Sequence, residues 1–529
     1  MWGTYVKRTF ISAAAILAFA ATAHADELSD VQAQAKQLRE QMTKRLADLE
    51  KRQKALEAAK PVAINPVDAL AADLPYKAAV KAKPPENDDI CIKGICVYGN
   101  FDLGATYIQH SAPFSSTAAG APLDTLVSRN GGQGSYFGVG VNQLSTSFIG
   151  LRGKQEIADN LYAVFNLQTL FNPASGVSAN GTGSIAQNNG LPAQSQNAFG
   201  DSSKAGQLFN NAAYFGISSP TYGTFTVGRQ SALTSDLIVN YDPLSGSNAW
   251  SVITFQGANG GGGDTEDRIL DNSYEYRVNI GPVRLAGEIQ ARNGGNSGTG
   301  NNFQGDVGFD YLGFSFDFTA AKVFDAVSAA PLAVGVIPTV ALGNGQVGVT
   351  VSDNTVFQVG ARYVIGPWKL FAGYEHIDFA NPNNPLAAGA FLAGGLIAGT
   401  VNNSGFVTDR ILQTAWIGAR YSITSALDVT GAYYHEWQNS FNNGNGSNPL
   451  ANCTTAISAG CSGTLDAVSL VVDWRFAKHV DMYAGVMWSQ VQNGLANNFI
   501  VNNVGATVQG TGGNKSSNFD PGVGLRYQF

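Results

Sequence analysis

The last twelve residues of the chain read Asn518-Phe-Asp-Pro-Gly-Val-Gly-Leu-Arg-Tyr-Gln-Phe529. Successive side chains on a β-strand point to opposite faces. Phe519, Val523, Leu525, Tyr527 and Phe529 therefore share one face, and Asp520, Gly522, Gly524, Arg526 and Gln528 share the other. Strands covered by protein on both sides read as near-continuous apolar runs, whereas this one sets an apolar face against a charged one. The pattern recurs upstream. In 464–476, Val468, Leu470, Val472, Trp474 and Phe476 oppose Asp473 and Arg475. In 273–280, Tyr274, Tyr276, Val278 and Ile280 oppose Ser273, Glu275, Arg277 and Asn279.

Working outward from these segments, period-two stretches fall at 95–108, 146–157, 161–171, 212–219, 223–231, 272–280, 283–292, 304–312, 314–325, 356–365, 368–379, 411–423, 427–438, 464–476, 479–492 and 518–529. That makes sixteen strands. Their connections alternate between long stretches rich in Gly, Asn and Ser and turns of a few residues, such as Gly281-Pro282 and Gly366-Pro367. Short turns at one end and long loops at the other are the signature of a transmembrane barrel. In hydrocarbon every backbone polar group needs a protein partner, so such strands close on themselves. Sixteen of them enclose a water-filled lumen rather than a packed core. The expected fold is an all-β membrane protein, a sixteen-stranded antiparallel transmembrane β-barrel over residues 95–529. Tyr107, Phe148, Tyr162, Phe171, Phe225, Phe379, Trp437 and Trp488 lie near strand ends and are expected to form interfacial girdles.

Composition narrows the remaining classes. Of 529 residues, 13% are charged, against ~25% in ordinary soluble domains. The one apolar run, Phe10 to Ala23, is shorter than the ~20 residues a membrane helix needs, which excludes a polytopic helical protein. A net charge of −7 provides no field to neutralise phosphates, so nucleic acid is not an expected partner.

The N-terminal part is built differently. Residues 1–25 carry Lys7 and Arg8, an apolar core and Ala23-His24-Ala25, which reads as a secretory signal peptide. Residues 26–60 have no Gly or Pro, and Leu28, Val31, Ala35, Leu38, Met42, Leu49 and Leu56 recur at heptad steps. Arg45 and Arg52 interrupt that seam. An N-terminal α-helical coiled coil is expected there, in the periplasm. Residues 61–94 contain Pro61, Pro66, Pro75, Pro84 and Pro85 and read as an extended tether. Cys91 with Cys96, and Cys453 with Cys461, are expected as two local disulfides in an oxidising compartment. Their spacings are unlike zinc knuckles, so no metal is expected.

Several segments resemble the trimeric Gram-negative general porins. Val97-Tyr-Gly-Asn-Phe-Asp-Leu-Gly-Ala-Thr-Tyr107 resembles their first strand, and Ser147-Phe-Ile-Gly-Leu-Arg-Gly-Lys-Gln-Glu156 their second. Tyr222-Gly-Thr-Phe-Thr-Val-Gly-Arg-Gln230 resembles the strand entering their third loop, and Arg268-Ile-Leu-Asp-Asn-Ser-Tyr-Glu-Tyr276 the strand leaving it. Gly522 to Phe529 resembles their C-terminal assembly signal, with Tyr527 and Phe529 as its aromatic residues.

The resemblance implies an outer-membrane channel for passive diffusion of ions and small hydrophilic solutes, assembled as a homotrimer. It implies contact with outer-membrane lipid and lipopolysaccharide, and insertion by the barrel assembly machinery. A third loop, 232–267, would fold into the lumen and carry acids facing wall arginines. Arg229 and Arg268 fall on wall-arginine positions, with Arg152 near a third that Phe148 occupies. Asp236, Asp242, Asp264, Glu266 and Asp267 are the candidate loop acids. Strand parity places Arg229 with Phe225 and Val227 on the lipid face, while the resemblance places it inside; a bulge would reconcile the two. Alternation adds Glu275, Arg277, Arg362, Arg420, Asp473 and Arg475 as lumen-wall candidates. Acids outnumber bases in the long loops, which favours a weak cation preference.

Two other readings stand beside the general channel. One is a substrate-specific channel, which an aromatic ladder or a dense single-sign patch in the lumen would mark. The other is a structural tether in which the N-terminal coil holds peptidoglycan. Catalysis and cofactors are not expected: His110, His376, His435 and His479 sit in no nucleophile motif.

Overall fold

The structure is a computed structural model. It describes residues 36, 40, 43, 44, 90–109, 135–174, 176, 208–253, 269–290, 302–332, 346–381, 391–393, 396–403, 409–439, 462–493 and 515–529. The chain divides into two units, Met1–Asn65 and Pro66–Phe529. In the first, Lys36, Glu40, Thr43 and Lys44 are helical and exposed. The signal peptide, the rest of the expected coil and the tether up to residue 89 lie outside the described residues.

The second unit is a barrel. Its first strands are β1 (Ile90–Ile92), β2 (Ile95–Ile108), β3 (Tyr136–Val141), β4 (Phe148–Ala158), β5 (Leu161–Leu170), β6 (Ala212–Ser219), β7 (Gly223–Ser231), β8 (Ile269–Ile280), β9 (Val283–Gln290) and β10 (Asn302–Tyr311). Then follow β11 (Phe314–Leu332), β12 (Gln346–Ile365), β13 (Trp368–Ala380), β14 (Phe391–Ala393), β15 (Leu396–Asn403), β16 (Arg410–Ser422), β17 (Leu427–Gln438), β18 (Gly463–Ala477), β19 (Val480–Asn493) and β20 (Lys515–Gln528). Antiparallel ladders run from β2 to β4 and on in chain order to β13. They continue from β13 to β16, through β20, and back to β2. Sixteen strands thus close without an edge, as the sequence pattern predicts. The four remaining strands are additions. β1 folds back on β2, β3 pairs the far half of β2, and β14 pairs β15, which lies parallel to β12.

Alternation decides which face is which. On β20, Phe519 and Leu525 are 51% and 52% exposed on the outside, while Asp520 and Arg526 are 4% and 5% exposed on the inside. The girdle expectation holds for Tyr107, Phe225 and Trp488, which are outward and exposed. It fails for Phe148 and Phe379, both buried on the inner face. Phe148 sits opposite inward Asn100 and packs edge-on against Tyr98 at 5.5 Å. Phe379 joins the interior apolar cluster. Proximity to a strand end was a weaker guide than residue parity.

The seam between β2 and β20 closes the ring. Asn100 to Thr106 pair with Gln528 to Gly522. Beyond the ladder, the Gly99 N–H donates to the Phe529 carbonyl at 2.8 Å and the Phe529 N–H donates to the Gly99 carbonyl at 3.1 Å. The Phe529 ring stacks on Phe101 and Tyr527. At the start of β2, Cys91 and Cys96 face each other in the β1–β2 register and form a disulfide. Cys453 and Cys461 lie outside the described residues.

Removing Phe529 deletes two backbone hydrogen bonds and its ring contacts at the seam, a cost of about 2–3 kcal/mol. Refolded barrel lacking Phe529 should shift from the compact to the unfolded gel band at lower temperature than the full chain. Reduction of Cys91–Cys96 should release the β1 amides to fast hydrogen exchange, since a loop this short contributes about 2 kcal/mol. Exchange in the other strands should stay unchanged.

Candidate functional site

The segment after β7 turns into the lumen. Helix α1 (Leu233–Tyr241) follows Ala232 and ends at Asp242, whose N–H donates to the Ile238 carbonyl. Pro243 prevents its continuation. Ala232 supplies no side-chain cap; instead the Thr234 N–H at the helix start donates to Gln304 Oε1 on β10 at 3.0 Å. Past the helix, Ser245 and Gly246 both adopt positive φ and reverse the chain. The Gly246 N–H donates to Asp242 Oδ2 at 2.7 Å.

This loop is held by apolar packing and by hydrogen bonds to the inner wall. Leu237, Ile238, Tyr241, Leu244, Trp250, Val252 and Ile253 are buried in one cluster with wall residues that include Val356, Phe379, Leu412, Trp416, Tyr434 and Tyr483. Tyr241 donates to Asp317 at 2.7 Å, and Arg284 donates to the Tyr241 hydroxyl at 3.1 Å. The loop carbonyls are taken in turn: Asn240 by Arg362, Tyr241 by Trp416, Pro243 by Arg420 and Trp250 by Ser469. Trp250 lies against Gly485 and Gly522, where a Cβ would come within 2.6 Å and 3.2 Å of its ring. Glycine on β19 and β20 thus makes the recess that admits the indole.

The sequence-predicted residues fall into three groups. Asp236 on α1 forms an ion pair with Arg277 on β8, which also pairs with Glu275, so these three are brought together. Burial pushes the Asp236 carboxyl above its ordinary range, with Arg277 pulling it back. Asp242 meets no arginine; it accepts from the Tyr434 hydroxyl at 2.6 Å. Burial pushes its carboxyl up to about 6 against the hydrogen bonds of Tyr434 and Gly246. Arg268, Asp264, Glu266 and Asp267 lie outside the described residues.

Arg229 resolves the parity conflict. The β7–β8 register slips between Gly228 and Gln230, and Gly228 takes φ +138°. At that bulge the Arg229 guanidinium is buried, donates to the Asn210 carbonyl and pairs with Asp271. Arg152 faces inward on β4 and lies 4.8 Å above the Tyr98 ring. On the wall, Arg362 and Arg420 serve loop carbonyls, while Arg475 pairs with Asp428 at 2.9 Å and lies 3.6 Å from Asp473. Arg526 pairs with Asp481 at 2.6 Å.

Charge is unevenly distributed around α1. Asp236, Glu275, Glu288, Asp306, Asp310 and Asp317 lie on α1 and β8–β11, with Arg277 and Arg284 as the bases paired among them. Sequence reasoning missed Tyr241, Trp250 and Tyr434 as anchors of the loop. The Trp in an otherwise small, polar stretch (Ser245 to Ser251) was the available signal.

The chain is similar to the anion-selective porin from Comamonas acidovorans, with 17% identity and a TM-score of 0.50, covering 82% of this chain and 99% of that one. It is also similar to outer-membrane expressed OmpT of Vibrio cholerae, with 13% identity and a TM-score of 0.48 over 84% and 100% of the two chains. Salmonella typhi OmpF in complex with daunomycin gives 15% identity and a TM-score of 0.43 over 82% and 97%. No curated protein matches. The family model described as Gram-negative porin matches residues 12–494, and the chain therefore belongs to the Gram-negative porin family, whose barrels are outer-membrane channels for passive diffusion.

Proposed function

We propose that this barrel works as a general diffusion channel with a weak preference for cations, in a homotrimer whose N-terminal coil lies in the periplasm and engages peptidoglycan. The observation that carries the reading is the loop containing α1, which is docked across the inner wall by the contacts of Tyr241, Asp242 and Trp250. A passage narrowed by a fixed loop lowers the barrier for hydrated solutes by replacing hydrocarbon with water, and the narrowest ring sets size and charge selection. Six carboxylates stand beside α1 against three guanidiniums, Arg277, Arg284 and Arg362, and this excess of negative charge attracts cations. Phe379, Trp416, Tyr434 and Tyr483 of the inner face pack in one cluster with the loop rather than forming a free ladder, which favours a general channel over a substrate-specific one. No bond chemistry is part of this reading.

Reconstituted into planar bilayers, the full chain should give ohmic steps closing in thirds, with a reversal potential of the cation-selective sign in a salt gradient. Deleting residues 27–60 should leave single-channel conductance unchanged and release the barrel from peptidoglycan. Steps blocked by micromolar amounts of one solute would instead favour the specific channel.

Asp242 adds a pH dependence. A carboxyl raised to about 6 in the docked loop holds its proton more tightly there than in the unfolded chain. Its contribution to docking is therefore complete in acid and is lost as pH rises through about 6. Open-channel current noise should grow as pH rises from about 4 to about 6 and level off above that. Asp242→Asn, which cannot ionise and gives up one of the two oxygens that serve Tyr434 and Gly246, should abolish that growth.

A further inference from the structure

A second segment turns inward from the wall and lies against the loop. β3 pairs Leu103 to Ile108 of β2, and β4 pairs Ile95 to Asn100. Phe101 and Asp102 therefore face the six residues Asn142 to Ser147, too many to fit the ladder. The surplus folds to the side where Asp102 points. Phe101 and Leu103 are exposed to the outside, whereas Asp102 is fully buried on the inside.

Asp102 holds this segment from both its backbone and its side chain. Its Oδ2 accepts from the Leu144 and Ser145 N–H groups at 3.0 and 2.7 Å. Its N–H donates to Ser147 Oγ at 2.9 Å, and its carbonyl accepts from the Asn142 N–H at 3.0 Å. Its Oδ1 accepts from the Tyr483 hydroxyl. Gln143 reaches across the seam and donates to the Val523 carbonyl at 3.0 Å.

The far side of the segment carries the descending limb of the loop. The Gln143 carbonyl accepts from the Ala249 N–H at 3.0 Å and from Ser247 Oγ at 2.8 Å. Asn248 Nδ2 donates to the Asn142 carbonyl at 2.8 Å and to Thr146 Oγ1 at 3.2 Å. The loop is thus bolted to a part of the wall that is not itself in the sheet.

We propose that Asn142–Ser147 is the second jaw of the constriction, and that Asp102 is the positioning residue that sets the aperture by holding this jaw against the loop. The inference rests on the diffusion-channel reading and adds to it. The carboxylate never meets the solute; it spreads its hydrogen bonds over two peptide N–H groups and a tyrosine, and so determines where Ser247–Trp250 can lie. An asparagine in its place has one acceptor oxygen and cannot serve both sets of donors.

The test measures single-channel conductance and the size of polyethylene glycol that enters, for wild type, Asp102→Asn and Asn248→Ala. Asn248→Ala removes only the two side-chain bonds on the loop side, and it decides the matter if Asp102→Asn does not fold. Both variants should conduct about 1.5-fold more than wild type or better and admit larger polymers, because a released jaw widens the narrowest ring. Folded variants with wild-type conductance and polymer cutoff, altered only in unfolding temperature, would reduce Asp102 to a structural role and overturn the proposal. A wild-type barrel that conducts nothing would overturn the channel reading itself, and the aperture argument with it.

Discussion

Backbone hydrogen bonding in a medium without water is the constraint on which the rest depends. An unpaired N–H or C=O in hydrocarbon costs several kcal/mol, so a sheet there has no tolerable edge. The chain meets this by returning its last strand to its first. The β2–β20 ladder and the reciprocal Gly99–Phe529 pair close the ring. Closure then dictates the alternation of side chains. Each strand presents residues such as Phe519 and Leu525 to lipid and residues such as Asp520 and Arg526 to the interior.

A ring of sixteen strands creates a second problem, since it is too wide for its own side chains to fill. The segment 232–253 answers it with two kinds of contact. Its apolar side chains meet apolar residues of the inner wall, and its carbonyls find donors from Arg362, Trp416, Arg420 and Ser469 on three different strands. Two of the wall arginines are thereby engaged in holding the loop. Others are engaged in wall pairs, Arg475 with Asp428 and Arg526 with Asp481. What remains beside α1 is an acid-rich sector in which Arg277 joins Asp236 of the loop to Glu275 of the wall.

Inward-folded chain also explains the glycines that no turn requires. Gly485 lies beneath Trp250, where any side chain would collide with the indole, and at Gly522 a side chain would collide with Gln143 and crowd the indole. Gly228 serves differently: its positive φ lets β7 slip one residue against β8 and turns Arg229 toward Asp271. Both are cases where backbone permissiveness decides the position of a functional side chain.

The sixteen barrel strands were legible in the sequence because lipid on one side and water on the other impose a strict period of two, and turn chemistry marks each hairpin. The Cys91–Cys96 pair was legible from its local spacing. β3 and the inward segment 142–147 were not, because Tyr136-Phe-Gly-Val-Gly-Val141 lacks a charged face and because a surplus of residues shows only when the partner strand is counted against it. Phe148 and Phe379 were assigned outward on their nearness to strand ends, which carries less information than parity. Asp236 was legible as a loop acid, but its partner Arg277 was identifiable only as a wall residue. Asp242, expected among the acids facing arginines, is a docking group for Tyr434. Sequence alone thus determined the sheet, its faces and its closure, since these follow from local periodicity and the solvent on each side. Tertiary structure decided where the folded-in loop comes to rest, since its wall contacts join Asp236 to Arg277, 41 positions away, and Trp250 to Ser469, 219 positions away.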